Sequence, residues 1–220
     1  MRVNRMLQII VLAGAVVTLT AATARADGVS VNVTVNSSTL SGTQTIVFGI
    51  TDGDGVADNN LALSGFAFGG GSAEGSASYI GSGISGDLSS TIDMDDSGFS
   101  ALFTQQFDAG AALSFTLTTT DNFAGGTPDA FAMYICDATL STCYSDDTGT
   151  GAMLVLNLAG GTLTPSGFIL NGASEQGLAA PVVTAATTTT VPEPTSLLLL
   201  PIGLAALLLS KKISSPTTCS

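Results

Sequence analysis

Histidine and tryptophan are absent from the 220 residues, and the five basic side chains (Arg2, Arg5, Arg25, Lys211 and Lys212) all lie in the two terminal segments. From Asp27 to Ser210 there is no Lys or Arg, while the same span carries all 17 acidic residues. Each absence excludes a class of chemistry. Without His, Lys or Arg there is no Ser-His-Asp or Cys-His nucleophile and no clamp for a phosphoryl group. Phosphate backbones and anionic lipid headgroups are bound through Lys and Arg, so nucleic acid is excluded as a partner. Carboxylate-pair glycoside hydrolysis needs none of these residues. However, the acids are mostly Asp in turn-like, Gly-rich contexts, and Glu74 and Glu175 are the only glutamates before Glu193. No Trp is present to stack a sugar ring, and no enzymatic activity is expected. With a net charge of -12, hydrated cations are the natural company of this chain, although a solvated acidic face needs no specific ion.

Cysteine is scarce too. Cys136 and Cys143, in YICDATLSTCYS, are separated by a six-residue loop and can either close a hairpin as a disulfide or remain two free thiols. Two cysteines without His do not complete a zinc shell, and the spacing is not C-x2-C. Cys219 stands apart in the tail.

What is present at the N-terminus reads as an export signal. Arg2 and Arg5 precede an apolar stretch from Met6 to Leu19, followed by Ala24-Arg25-Ala26 as a small-x-small cleavage site. The mature chain is expected to begin at Asp27; an uncleaved membrane-anchored N-terminus is the alternative. Export makes a disulfide permissible.

The middle of the chain reads as short strands punctuated by Gly, Asp, Asn and Ser. VSVNVTV (Val29 to Val35) alternates strictly, the period of a half-buried strand. Further strands are expected at Thr45 to Ile50, Leu61 to Phe68, Leu88 to Met94, Ala112 to Thr119, Ala130 to Cys136 and Ala152 to Leu158, with Gly167 to Asn171 as an addition. FSALFTQQF (Phe99 to Phe107) fits both a helical and a strand period, and its neighbours favour a strand. GGGSAEG (Gly69 to Gly75) lacks the GK[ST] of a phosphate loop and reads as a flexible loop. Helical crossovers are absent, so the fold class is all-β: an antiparallel β-sandwich or jelly roll. After Gly177 the composition turns to Ala, Thr and Pro, which reads as an extended linker. Its Thr187 to Thr190 run is either an O-glycosylation tract or a plain spacer. The chain thus divides into a signal peptide (1-26), an ectodomain (27-177), a linker (178-191), a C-terminal signal (192-213) and a polar tail (214-220).

In that C-terminal signal, LLLLPIGLAALLL (Leu197 to Leu209) follows Pro192-Glu193-Pro194 and precedes Lys211-Lys212. Thirteen helical residues reach only about 20 Å against a hydrocarbon core of about 30 Å, so a permanent span is marginal. The run is apolar all round, unlike most core helices, and the lysines match a stop-transfer signal with the tail inside. A transient span is expected. PEP triplet, short apolar run and basic end together resemble the PEP-CTERM sorting signal. The resemblance implies a Gram-negative exporter of exopolysaccharide, in which an exosortase, a membrane Cys protease-transpeptidase, recognises the signal and removes the tail. Partners would be that protease and, beyond it, exopolysaccharide at the cell surface or in the matrix. Lys-Lys in place of an arginine-rich end, and the added ISSPTTCS, depart from the pattern. IVFGITDGDG, LSFTLTTT and PDAFAMYIC are also similar to glycine-rich β domains found with this signal.

One internal motif points to a cofactor. TDGDGVADNN (Thr51 to Asn60) offers Asp52, Asp54 and Asp58 at i, i+2 and i+6, and Gly53 and Gly55 would let the loop wrap an ion. Calcium takes six to eight oxygen ligands. The stretch resembles the D-x-D-G-x-x-D core of thrombospondin type 3 calcium repeats, in a single copy and without the twelfth-position Glu of an EF-hand. The alternative is a turn without metal, since Asp-Gly and Asn-Asn form turns readily. Asp93, Asp95 and Asp96 in DMDDSG, and Asp146-Asp147, are either further cation ligands or solvated loops.

Overall fold

Alternation produces most of the strands. Val31, Val33 and Val35 are buried while Asn32 and Thr34 between them are exposed, because successive strand side chains point to opposite faces. The computed structural model describes residues 29–160 and 164–186. The expected export signal, the apolar run and the expected sorting residues Pro192, Glu193, Pro194, Lys211 and Lys212 lie outside the described residues.

Twelve strands are described: β1 (Val29–Val35), β2 (Thr43–Thr51), β3 (Asn60–Ala67), β4 (Ser72–Ile80), β5 (Ile84–Ser85), β6 (Ile92–Asp95), β7 (Ser100–Asp108), β8 (Leu113–Thr119), β9 (Asp129–Asp137), β10 (Leu154–Leu158), β11 (Phe168–Leu170) and β12 (Val182–Ala185). The helical segments among the described residues are two 3-10 turns, Pro165–Gly167 and Ser174–Gln176. The strands form two six-stranded antiparallel sheets. The first is ordered β12-β1-β8-β3-β6-β5 and the second β11-β10-β9-β2-β7-β4. The fold is therefore all-β.

The inward rows of both sheets share one hydrophobic core. Phe48 of β2 stands at its centre. Its ring lies 5.9 Å from Phe103 and 6.0 Å from Phe131 in the same sheet, and 5.4 Å from Phe115 and 6.1 Å from Phe66 in the other. Such aromatic contacts add to the burial of the rings themselves.

Three local readings are corrected. The glycine-rich loop at Gly69 to Gly75 gives way at Ser72 to strand β4, which pairs with β7. Its register shifts between Glu74 and Ser78, where Gly75 takes φ +63, a bulge that bends an edge strand. Having one neighbour and mostly small, exposed residues, β4 shows no apolar alternation. The second correction concerns the linker from residue 178. Leu178 is buried and bonded in both directions to Ala173, and β12 pairs with β1 through Val183 opposite Val33. The fold thus continues to Ala186; an edge strand needs little apolar content to pair. Third, Leu88 and its neighbours turn before the strand begins at Ile92. The ambiguous FSALFTQQF segment is strand β7, paired with β2 over nine residues.

Cys136 and Cys143 are joined by a disulfide with Cα atoms 3.8 Å apart. Within the loop it closes, Asp137 Oδ1 accepts from the Thr139 and Ser141 amides at 2.9 and 3.0 Å.

Truncating the central ring tests the shared core. Phe48→Ala is expected to lower unfolding free energy by about 3–5 kcal/mol, whereas Phe99→Ala, at a residue 80% exposed, should change it by less than about 0.5 kcal/mol. Urea denaturation of the two variants checks this.

Candidate cation site

The connection from β2 to β3 carries the chain from the second sheet to the first, and it contains Asp52, Asp54 and Asp58. Two further carboxylates meet them. Asp96 follows β6 and Asp129 opens β9. Both stand on inward rows: Asp96 continues the series Ile92, Met94, and Asp129 the series Phe131, Met133, Ile135. Asn59 likewise precedes Leu61 and Leu63. These three polar side chains, 0–2% exposed, close one end of the core where apolar rows would otherwise continue.

Oxygen atoms of Asp52, Asp54 and Asp129 lie within 4.8 Å of one another, as do those of Asp58, Asp96 and Asp129. The structure thus divides the three loop aspartates between two groups that share Asp129. Oxygens on opposite sides of a calcium ion stand about 4.6–5.2 Å apart, so either group can lie around such an ion. Each carboxylate has lone pairs to spare beyond its hydrogen bonds.

Those bonds hold the loop in place. Asp129 Oδ1 accepts from the Gly53 and Asp54 amides at 2.7 and 3.3 Å, and its Oδ2 from Asn59 Nδ2 at 2.7 Å. Asp96 Oδ2 accepts from the Asn59 and Asp58 amides at 2.9 and 3.3 Å. Asn59 Oδ1 in turn accepts from the Asn122 amide at 2.8 Å and the Thr120 hydroxyl at 3.1 Å. Asp52 and Asp54 each accept an amide of their own loop, from Gly55 at 2.6 Å and Val56 at 2.9 Å, the usual habit of Asp in turns. A Cβ on Gly53 would stand 2.3 Å from the Pro128 carbonyl oxygen, so only glycine lets the loop approach β9 this closely.

Burial and like charge set the titration. Burial is the main cause that raises Asp96, to about 6, and its hydrogen bond to Asp129 adds to the rise. At Asp129 burial also pushes upward, but hydrogen bonds from Asn59, Gly53, Asp96 and Asp54 outweigh it and hold the group below its ordinary value. Of the two, Asp96 is the one that holds a proton below about pH 6, next to the Asp129 carboxylate. Asp58 is raised by burial first and then by the charges of Asp54, Asp129 and Asp52. A carboxylic acid beside a carboxylate is also the pairing of an acid-base catalyst. Here Asp129 is 0% and Asp96 2% exposed, and both lie within reach of the loop carboxylates.

The other acidic residues do different work. Asp93 is exposed and Asp95 accepts from the Ser97 amide at 3.0 Å. Asp146 Oδ1 accepts from the amide and hydroxyl of Ser174, and Asp147 caps Gly149 and Thr150. The residues that sequence reasoning missed are Asp129 and Asn59. Their signal was a polar residue in phase with an inward apolar row. Exposed Phe123 and Val56 flank the site on its two loops.

No protein-family model, curated protein or solved structure matches this chain.

The linkage has a definite sign. With its folded pKa raised, Asp96 contributes stability that is fully present below about 3.8 and lost as pH rises through about 6. Asp129, with its folded pKa lowered, contributes stability that is lost as pH falls below 3.8. In EDTA, the melting temperature is expected to be higher at pH 5 than at pH 7.5. Asp96→Asn, which keeps an acceptor for the Asn59 amide and a donor for Asp129, should raise it at pH 7.5 and flatten the difference. Thermal melts of both chains at the two pH values decide it; an Asn variant less stable at pH 7.5 would contradict the shared-proton reading.

Proposed function

We propose that the chain is an exported, non-catalytic surface or extracellular-matrix protein, sorted by its C-terminal signal and associated with exopolysaccharide in a biofilm. One observation carries the reading: the PEP triplet (Pro192, Glu193, Pro194), the short apolar run and Lys211-Lys212 stand in that order after a domain without a single basic residue. The export signal before Asp27 and the Cys136–Cys143 disulfide support passage to an oxidising compartment. The absence of His from the chain and of Lys and Arg from Asp27 to Ser210, with the burial of the Asp96–Asp129 pair, supports a role without catalysis. On this reading the two sheets are the faces of a β-sandwich ectodomain. The apolar run enters the inner membrane of a Gram-negative cell transiently, and an exosortase-type protease then removes it.

A second reading is favoured by the five-carboxylate cluster. Calcium held by Asp52, Asp54 and Asp129, or by Asp58, Asp96 and Asp129, would stabilise a carbohydrate-binding module. Exposed Phe123 and Val56 beside it would offer apolar surface to a sugar ring.

Expression in hosts with and without the sorting protease, followed by fractionation and C-terminal mapping, tests the first reading. The surface form should end near Pro194 only where the protease is present; an intact Cys219 tail in surface material would refute processing. For the second, calcium at millimolar concentration is expected to raise the melting temperature at pH 7.5 and to do so less at pH 5, where the proton on Asp96 competes. No thermal shift and no calorimetric heat at pH 7.5 would sink the calcium site, and an empty glycan array would sink the module.

A further inference from the structure

The outer face of the second sheet carries one row in direct register across all six strands. Ile169, Val155, Ala132, Gly49, Leu102 and Ile80 stand side by side from β11 to β4. Five inter-strand gaps make the row about 24 Å long. Its ends are the most open part, Ile169 at 53% and Ile80 at 63% exposure. At its middle the Leu102 Cδ2 lies 2.9 Å from where a Gly49 Cβ would be, so the gap left by glycine is covered from within. The neighbouring rows are uncharged at neutral pH: Ser100, Thr51, Ala130 and Asn157 on one side, Ser78, Thr104, Val47 and Tyr134 on the other. The nearest carboxylates stand at the border, Glu74 two rows from Ile80 and Asp147, whose charge bears on Tyr134.

We infer that this face joins two copies of the chain, sheet against sheet, about a two-fold axis through the midpoint of Ala132 and Gly49. Two observations select a second copy as the occupant. The row is self-complementary in size: reversed on itself, it sets Ile169 against Ile80, Val155 against Leu102 and Ala132 against Gly49, with the small pair on the axis. A two-fold contact requires that kind of reciprocity. The second observation is electrostatic. The described domain carries many carboxylates and no cation to pair them, so copies repel through charged surface within a Debye length of about 8–10 Å. A face whose carboxylates stand only at its border lets them approach with less of that repulsion. Three rows, about 20 Å deep, give roughly 480 Å² of projected area per copy, just under the lower limit of about 1,000 Å² in total for a specific interface. The dimer is accordingly weak and strengthened by salt.

The test is sedimentation velocity on the full chain carrying Cys219→Ser, which removes the unpaired tail thiol. The parent is expected to dimerise reversibly, and more tightly at 0.5 M than at 0.05 M NaCl. Ile80→Asp should weaken the dimer about thirtyfold or more, the effect of an unpaired charge in an interface. Adding Ile169→Lys in the same chain should restore it to within about threefold. Those two positions lie at opposite edges of one sheet, so they can pair only between copies. A monomer at every concentration, an Ile80→Asp chain that associates like the parent, or a double variant no tighter than the single one would each overturn the inference. Both exposed isoleucines can be replaced without touching the core, so loss of folding does not confuse the result.

Discussion

Uncompensated negative charge is the constraint on which the described structure turns. A domain with acidic residues and no basic ones cannot neutralise a carboxylate with an ion pair, so its counter-charges are amide and hydroxyl hydrogens. Asp87, Asp137, Asp146 and Asp147 are held below their ordinary pKa in this way, chiefly by hydrogen bonds from Ser89, Thr139, Ser174 and Thr150. Each such Asp fixes a turn, and the turns set where strands begin and end. At Asp96 burial outweighs the two amides it accepts, and the carboxyl holds a proton up to about pH 6. The Asp96–Asp129 pair is thus the same constraint under burial, with desolvation added to repulsion.

That pair also ties the two sheets. Asp96 and Asn59 flank strands β6 and β3 of the first sheet and Asp129 opens β9 of the second, while Gly53 and Asp54 come from the crossing loop. Hydrogen bonds among them span the gap that the core fills elsewhere with Phe and Leu. An apolar plug would pack as well, but it would not orient the loop carboxylates toward one another. Polar closure at this end costs desolvation and in return holds a set of oxygen atoms at cation-binding spacing.

Much of the fold was legible because alternation is a local signal. VSVNVTV and AFAMYIC announce their buried faces within seven residues, and β1 and β9 appear where those patterns lie. Strands β4 and β12 were not legible, since an edge strand is stabilised by its one neighbour rather than by its own apolar content. The site was half legible. Asp52, Asp54 and Asp58 are neighbours in sequence, but Asp129 is about 75 residues away and joins them only through sheet pairing. Its visible sign was phase, a carboxylate in step with Phe131, Met133 and Ile135. The same bookkeeping of phase would have found Asp96 among its acidic neighbours, because Asp93 and Asp95 fall on the opposite face.

Satisfying carboxylates with backbone and hydroxyl donors has one more outcome, in the chemistry of attack on the chain. Between Arg25 and Lys211 no peptide bond follows a Lys or Arg, so a trypsin-like protease finds no site there whether the sheets are folded or open. Amine-directed reagents meet no side-chain target in the same span. Against that one class of protease the span resists through its composition, independently of the stability of its fold.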